Sequence, residues 1–402
     1  MTNKKNILVL SDPPAAPGYL PRVRFLCDYL VRQGHQVTLL TEQYGTMDFV
    51  HSYPIVTIPM YNGGTIDWLM KTVWTLLTDW HNRAFAKKYL SGEAGLSAQR
   101  SISAAVYQAK PVDLVLCSAF SDFPLGAGLR IAQAMNVPLL CDIRDLDEQV
   151  KDSRYQYHHQ SAWIMPFRRL YRAIHIRRRN KVLRAANAIT TVSTWHADFI
   201  KNLTSDSVAV YTIYNGYDAA QFYPENIPSD RFTITYIGSL FEWQKPALET
   251  VQQAIEELNQ ILQSSNPQIL QSSNPPILID IHTPQERPVP HDRLGDAIRR
   301  SGIMLVLTNT HTHGMLTTKF YEALGCEKPV LCVPSDQGAL TELIQYTNAG
   351  LATDDKEAIK AFIMDKYEQW KKQSFTRQHT QYREHFSREN QYDQFYRAYL
   401  QR

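Results

Sequence analysis

A chain of 402 residues is too long for one ordinary core, so two domains of roughly 200 residues each are the natural division. Apolar residues at 44% and charged residues at 20% exclude a disordered chain, and a formal charge of +3 is too mild to imply a nucleic-acid binder. Cys27, Cys117, Cys141, Cys326 and Cys332 stand singly in apolar runs, without the spacing of a zinc site or a disulfide framework, as expected of reduced core residues in a cytosolic protein.

The first β-rich run is Asn6 to Ser11. Lys4 and Lys5 precede it, but Asp12 and two prolines cut the apolar stretch too short for a signal peptide. No segment reaches the ~20 apolar residues that span a bilayer, so neither export nor membrane spanning is expected. Helical spacing over Val23 to Gln33 leads to a second run, Gln36 to Thr41. A stretch with Trp68, Trp74 and Trp80 and few charges follows. Val112 to Ser118, a helical pattern over Leu125 to Met135, and Val137 to Asp142 continue the alternation that marks a parallel sheet with covering helices.

The run ending at Asp142 opens into Ile143, Arg144, Asp145, Leu146, Asp147 and Glu148. Several charges at the carboxyl edge of a parallel strand must desolvate near one another unless they meet a ligand. Asp145 is read as the group that orients or deprotonates an acceptor hydroxyl, with Arg144 beside it; a salt-bridge cluster that fixes the loop is the structural alternative.

Next comes the most basic region, Arg168 to Arg184, with no acidic residue between Ser153 and Ala197. Phe167, Leu170, Tyr171, Ile174, Val182 and Ala185 follow helical spacing, so the segment reads as a basic amphipathic helix suited to an anionic membrane surface, or else as a core helix with a basic solvent face. No nucleic-acid motif accompanies it. Ala188 to Val192 and Val208 to Tyr214 complete the first domain, set at 1–215.

After the Pro224 to Asp230 loop the pattern restarts with Phe232 to Ile237, Ile277 to Ile281, Ile303 to Leu307 and Val330 to Val333, giving a second domain over 216–384. The first of these strands runs into Gly238 and Ser239, where a ligand could approach the backbone closely, and Lys245 precedes a helix N-terminus suited to phosphate. The backbone at His282 and Thr283 could bond a base. A tandem octad, Ile261 to Gln268 and Ile269 to Pro276, reads as a duplicated surface loop without a chemical role. Lys319 and Glu322 lie one helical turn apart near a helix start, so the glutamate could accept both hydroxyls of a ribose while the lysine and open N–H groups favour a diphosphate. The tail from about Ala358 is helical, and 385–402 is expected to pack back on the first domain.

Three segments carry a more specific likeness: Ile213 to Asp218 with Phe222; Tyr236 to Leu240; and Lys319, Glu322, Gly325 with Lys328 to Leu331. In order and spacing they resemble the donor half of GT-B glycosyltransferases of the family-4 group that builds bacterial surface polysaccharides. Ala185 to Ser193 and Gly34 to Thr41 resemble that group's first domain, as does the Arg144-Asp145-Leu146 segment. The resemblance implies two Rossmann-like doubly wound domains facing across a cleft, with ligands beyond the carboxyl ends of the strands. It further implies that Lys245 and Lys319 contact the donor diphosphate, that Glu322 holds the ribose and that Gly238 lines the phosphate path. Gly18 and Arg22 are carried over from a loop that approaches phosphate and acceptor. Many retaining members have two glutamates eight residues apart, and the position eight before Glu322 is Gly314. That departure leaves the sugar and the stereochemical course open.

The expected function is transfer of a sugar, of hexosyltransferase type, from a nucleotide-diphosphate sugar to a hydroxyl of a lipid-linked or growing glycan. The family resembled retains configuration, and Asp145 would become the general base if this chain inverts. No metal or other cofactor is expected, because lysines and helix N-termini can stabilise the departing diphosphate. A cytoplasmic enzyme, peripheral on the inner face of the membrane, fits these features. The alternatives are a sugar-nucleotide epimerase on the same scaffold and a non-catalytic two-domain nucleotide-sugar binder.

Overall fold

A computed structural model describes residues 4–12, 21–42, 51–60, 73–92, 95–96, 111–119, 122–150, 165–264, 275–312 and 314–400. Gly18, Trp68 and most of the tandem octad lie outside them. The chain divides into two compact units, one of Met1–Ile213 with Gln394–Arg402 and one of Tyr214–Asp393.

The first unit is built on β1 (Asn6–Ser11), β2 (Gln36–Glu42), β3 (Ile55–Ile58), β4 (Gly95–Leu96), β5 (Leu114–Ala119), β6 (Leu139–Ile143), β7 (Ala188–Thr191) and β8 (Ala209–Thr212). Their order in the sheet is β4-β3-β2-β1-β5-β6-β7-β8, parallel throughout except for the β3–β4 pair. All six residues of β5 are buried, as a central strand covered on both faces requires. Helices α1 (Pro21–Arg32), α2 (Trp80–Leu90), α3 (Leu125–Met135), α4 (Met165–Ala185) and α5 (Thr194–Leu203) connect the strands. The order reverses between β1 and β5, and ligands of such sheets bind beyond the carboxyl ends at that switch point.

The second unit repeats the plan. Strands β9 (Thr233–Ile237), β10 (Leu278–His282), β11 (Ile303–Leu307), β12 (Val330–Val333) and β13 (Gly350–Ala352) form a parallel sheet in the order β10-β9-β11-β12-β13. Side chains alternate across a strand, and the packing follows that period. Met304, Val306, Val330 and Cys332 join one apolar cluster, while Ile303, Leu305, Leu307, Leu331 and Val333 join another. Helices α8 (Thr318–Gly325) and α9 (Ala339–Tyr346) cover the first face, and α6 (Lys245–Ser264) with α10 (Lys356–Gln373) covers the second. The short α7 (Leu294–Arg300) precedes β11.

The last helix, α11 (Arg388–Tyr399), begins in the second unit and ends in the first. In the first unit Tyr396 packs edge-on to Tyr29 and beside His35, and the Tyr399 hydroxyl donates to the Ile189 carbonyl at 3.0 Å. The return thus starts at Gln394, nine residues beyond the expected 385. β3, β4 and β13 are strands that the apolar patterning did not reveal.

Candidate active site

In the second unit the carboxyl ends of β9 and β11 meet the start of α8. β9 ends at Gly238, whose N–H donates to the His282 carbonyl at 2.9 Å and whose φ of 138° belongs to the region that favours glycine. A β-carbon there would stand 2.6 Å from Cε and 2.7 Å from Nζ of Lys319. The Lys319 ammonium therefore hangs over bare backbone at the switch point. It also lies 5.5 Å from the centre of the Tyr236 ring, a ring held by its hydroxyl's hydrogen bond to the Ser239 carbonyl at 2.6 Å. Thr317 caps α8, its hydroxyl accepting from the Lys319 N–H at 3.3 Å.

Glu322 follows one turn later on the same face. Burial raises its carboxyl above the ordinary range, against the pull of Lys319 and Arg388. Burial likewise lowers the Lys319 ammonium, against the pull of Glu322. The two form no ion pair with each other or with any other side chain among the described residues. A cation and an anion that are desolvated yet unpaired carry an electrostatic cost, which a diphosphate and a ribose would offset.

Other expected donor contacts fall differently. Lys245 is the first residue of α6, exposed and paired with Glu242 at 2.7 Å, so Lys319 alone overhangs Gly238. Ser239 is exposed and offers its carbonyl to Tyr236. The His282 ring is turned into its own loop, Nε2 lying 2.9 Å from Asp280 and Nδ1 2.9 Å from the Arg287 carbonyl. The Thr283 N–H donates to the Glu286 carbonyl at 2.8 Å. The His282 carbonyl and the Thr283 N–H, expected to meet a base, are thus engaged within the unit. Beside them opens a cavity of about 520 Å³ lined by His282, Arg287, Arg293 and Arg300. Gly314, eight residues before Glu322, has a φ of 64°, so a side chain there would be strained.

In the first unit, β6 delivers a charged cluster to its carboxyl edge. Asp142 is fully enclosed: Arg22 Nε donates to both of its oxygens at 3.2 and 3.0 Å, with Ser118 and Thr190 hydroxyls at 2.8 and 2.7 Å. Burial alone would raise this carboxyl, but Arg22 and the two hydroxyls hold it below its usual range. Arg22 also donates to the Ile213 carbonyl at 2.8 Å, so it is a buried tie between strands rather than the open phosphate contact expected of it. Arg144, buried as well, pairs with Asp12 at the end of β1.

Asp145 is half-buried and takes a hydrogen bond from the Gln149 amide nitrogen at 3.2 Å. Burial raises its carboxyl, Gln149 and Arg144 draw it down, and Asp147 adds to the rise. Behind it Glu148 forms a two-pronged pair with Arg179 at 2.8 and 2.6 Å. Arg179 is only 1% exposed, so one of the expected surface cations of the basic helix is an interior residue. Arg172 donates to the Asp147 carbonyl, and Arg178 to the carbonyls of Thr75 and Leu76. What remains exposed on α4 is mixed: Arg169, Arg177, Lys181 and Arg184, together with Phe167 at 70%, Leu170 at 55% and Tyr171 at 44%. Trp74 and Leu77, in the helical residues 73–78 that Arg178 holds, are also exposed.

No three His, Cys, Asp or Glu side chains gather as a metal site among the described residues. Nor does any described helix reach the length and apolarity needed to cross a membrane.

The chain is a glycosyltransferase of the GT-B fold. The model of Glycosyltransferase Family 4 matches residues 22–221, and the chain resembles that group. Among solved structures, sucrose-phosphate synthase from Thermosynechococcus elongatus superposes with a TM-score of 0.61 at 16% identity, covering 98% of each chain. Anabaena HepE in complex with UDP and glucose gives 0.58 at 13% identity, over 98% of this chain and 99% of that one. WaaG, a glycosyltransferase involved in lipopolysaccharide biosynthesis, gives 0.54 at 10% identity, over 92% and 94%. No curated protein sequence matches the chain.

Proposed function

We propose that the enzyme transfers a hexose from a nucleotide-diphosphate sugar to a hydroxyl of a lipid-linked or growing surface glycan, with retention of configuration. The observation that carries this reading is the unpaired Lys319 over Gly238 with Glu322 one turn away. Lys319 and the N–H groups at the start of α8 hold the diphosphate, and Glu322 accepts from the ribose hydroxyls. HepE is bound to UDP and glucose on the same fold, which supports a donor of this class.

In the reaction the bond from the sugar's anomeric carbon to the diphosphate oxygen breaks and a bond to the acceptor oxygen forms. The acceptor's proton passes to the departing diphosphate, and Lys319 stabilises the charge that develops there without a metal or other cofactor. Asp145 accepts the hydrogen bond of the acceptor hydroxyl and orients it, beside Arg144.

The acceptor side favours lipid. Phe167, Leu170 and Tyr171 on the first half of α4, with Val73, Trp74 and Leu77 on the adjoining helical residues, are exposed large apolar side chains flanked by Arg169 and Arg177. Apolar side chains beside cations suit a bilayer with anionic headgroups at the cytoplasmic face. That WaaG is involved in lipopolysaccharide biosynthesis fits such an acceptor.

Incubation with labelled UDP- and GDP-sugars, with and without membrane lipid extract, tests the reading. Label should move to the lipid fraction, and F167S/L170S should retain nucleotide affinity while losing transfer to vesicle-borne acceptor. Interconversion of free donor, or saturable retention without product, would replace this function by an epimerase or a binder.

A further inference from the structure

We propose that Gln149 and His196 form a hydrogen-bonded chain that aims the Asp145 carboxylate, making Gln149 a positioning residue for the transfer. The inference rests on the role given to Asp145 above. Gln149 closes a single 3₁₀ turn, Asp147–Gln149, its N–H donating to the Leu146 carbonyl at 3.0 Å, and this turn brings its amide back to Asp145. Its amide nitrogen lies 3.2 Å from Asp145 Oδ1 and its amide oxygen 2.9 Å from His196 Nε2. His196 is 0% exposed, near the start of α5, where the Ser193 hydroxyl accepts from its backbone N–H at 3.2 Å.

One arrangement of protons satisfies both contacts. An ionised Asp145 only accepts, so Gln149 must turn its NH₂ toward it; the amide oxygen then faces His196, which must carry its proton on Nε2. His196 Nδ1 points the same way: it is buried without a partner among the described residues, and a proton there would be a buried donor with no acceptor among them. Burial and the Arg179 charge, against Glu148, push the His196 ring down to about 4, so it stays neutral and keeps that single proton through the neutral range. The chain therefore runs in one direction, from His196 through Gln149 to Asp145.

Its effect on Asp145 is twofold. One carboxylate oxygen is fixed by Gln149, and Oδ2, which has no hydrogen-bond partner among the described residues, is left for the substrate. The donated hydrogen bond also favours the ionised form, alongside Arg144 and against burial and Asp147. Removing it should leave the carboxyl protonated to a higher pH.

The test is the pH profile of kcat for wild type, Q149L, Q149E and H196F, with D145N as reference. The acid limb should move up by about one pH unit in Q149L, with the donor KM unchanged within about twofold. Q149E keeps the shape and the acceptor for His196 but sets a second charge beside Asp145, so its limb should move further; it carries the test if Q149L does not fold. H196F, which frees the Gln149 amide to turn, should shift the limb in the same direction. An unmoved limb in folded Q149E, with transfer lost in D145N, would make Gln149 a packing residue and leave Asp145 standing. Near-normal kcat in D145N would overturn the role of Asp145 and this inference together.

Discussion

Lys319 and Glu322 are matched in charge but form no ion pair with each other, and burial draws in both ends of their working pH range. Grip on a ribose needs the carboxylate, which is fully present above the Glu322 pKa and is lost as pH falls through it; burial has raised that pKa above the ordinary 4.5. Grip on a diphosphate needs the ammonium, lost as pH rises through the Lys319 pKa, which burial has lowered below the ordinary 10.5. Affinity for an intact nucleotide-sugar should therefore fall at both ends inside the span from 4.5 to 10.5. Calorimetric titration across pH should show both limbs, with the acid one absent from E322Q and the alkaline one from K319M. Affinity that stays level to both ordinary values would contradict the desolvated pair.

At the residue scale, what a sequence shows depends on how far apart the partners lie along the chain. Lys319 and Glu322 are neighbours on one turn, so their shared face was legible from spacing alone. Lys245 was legible only as a lysine at a helix start; that Glu242, three residues earlier, captures it depends on rotamers. Arg22 meets Asp142 across 120 positions, and the Gln149–His196 contact spans 47, separations that no local pattern reports.

At the scale of elements, the proposed donor site is one strand end and one helix start. Gly238 holds a backbone conformation with φ of 138° under the Lys319 side chain. G238A should cost about 1–3 kcal/mol of stability from backbone strain. It should also weaken nucleotide binding by at least about tenfold, roughly 1.4 kcal/mol, because the new methyl displaces the end of Lys319. Thermal unfolding with and without ligand separates the two effects, and binding equal to wild type would show that Lys319 does not act from that position. Continuous apolar strands such as β5, β11 and β12 were plain in the sequence because both faces are buried. β4 and β13, of two and three residues, are too short for a period, and β3 is bounded by Pro54 and Pro59. The basic helix was read correctly as a helix, but half of its function is internal: Arg172, Arg178 and Arg179 brace β6's loop and residues 73–78.

For the whole molecule, two parallel sheets in one chain follow from two rounds of alternating β and α patterns, and that level of the fold was the most legible. The ends were less so, since α11 changes unit at Gln394 within a continuous helix. Each unit keeps its own polar cluster at a strand edge: the second holds a cation and an anion without an ion pair among the described residues, and the first a network in which Arg22 is tied to Asp142, Arg144 to Asp12 and Arg179 to Glu148 around Asp145. The central claim is that Lys319 and Glu322 together grip the nucleotide. Thermal unfolding with a panel of nucleoside diphosphates tests it most directly, since a ligand at ~100 times its Kd should add roughly 2.7 kcal/mol to wild type. In K319A and E322A that stabilisation should vanish, with the unliganded melting temperature close to wild type. Stabilisation that survives in both variants would contradict it.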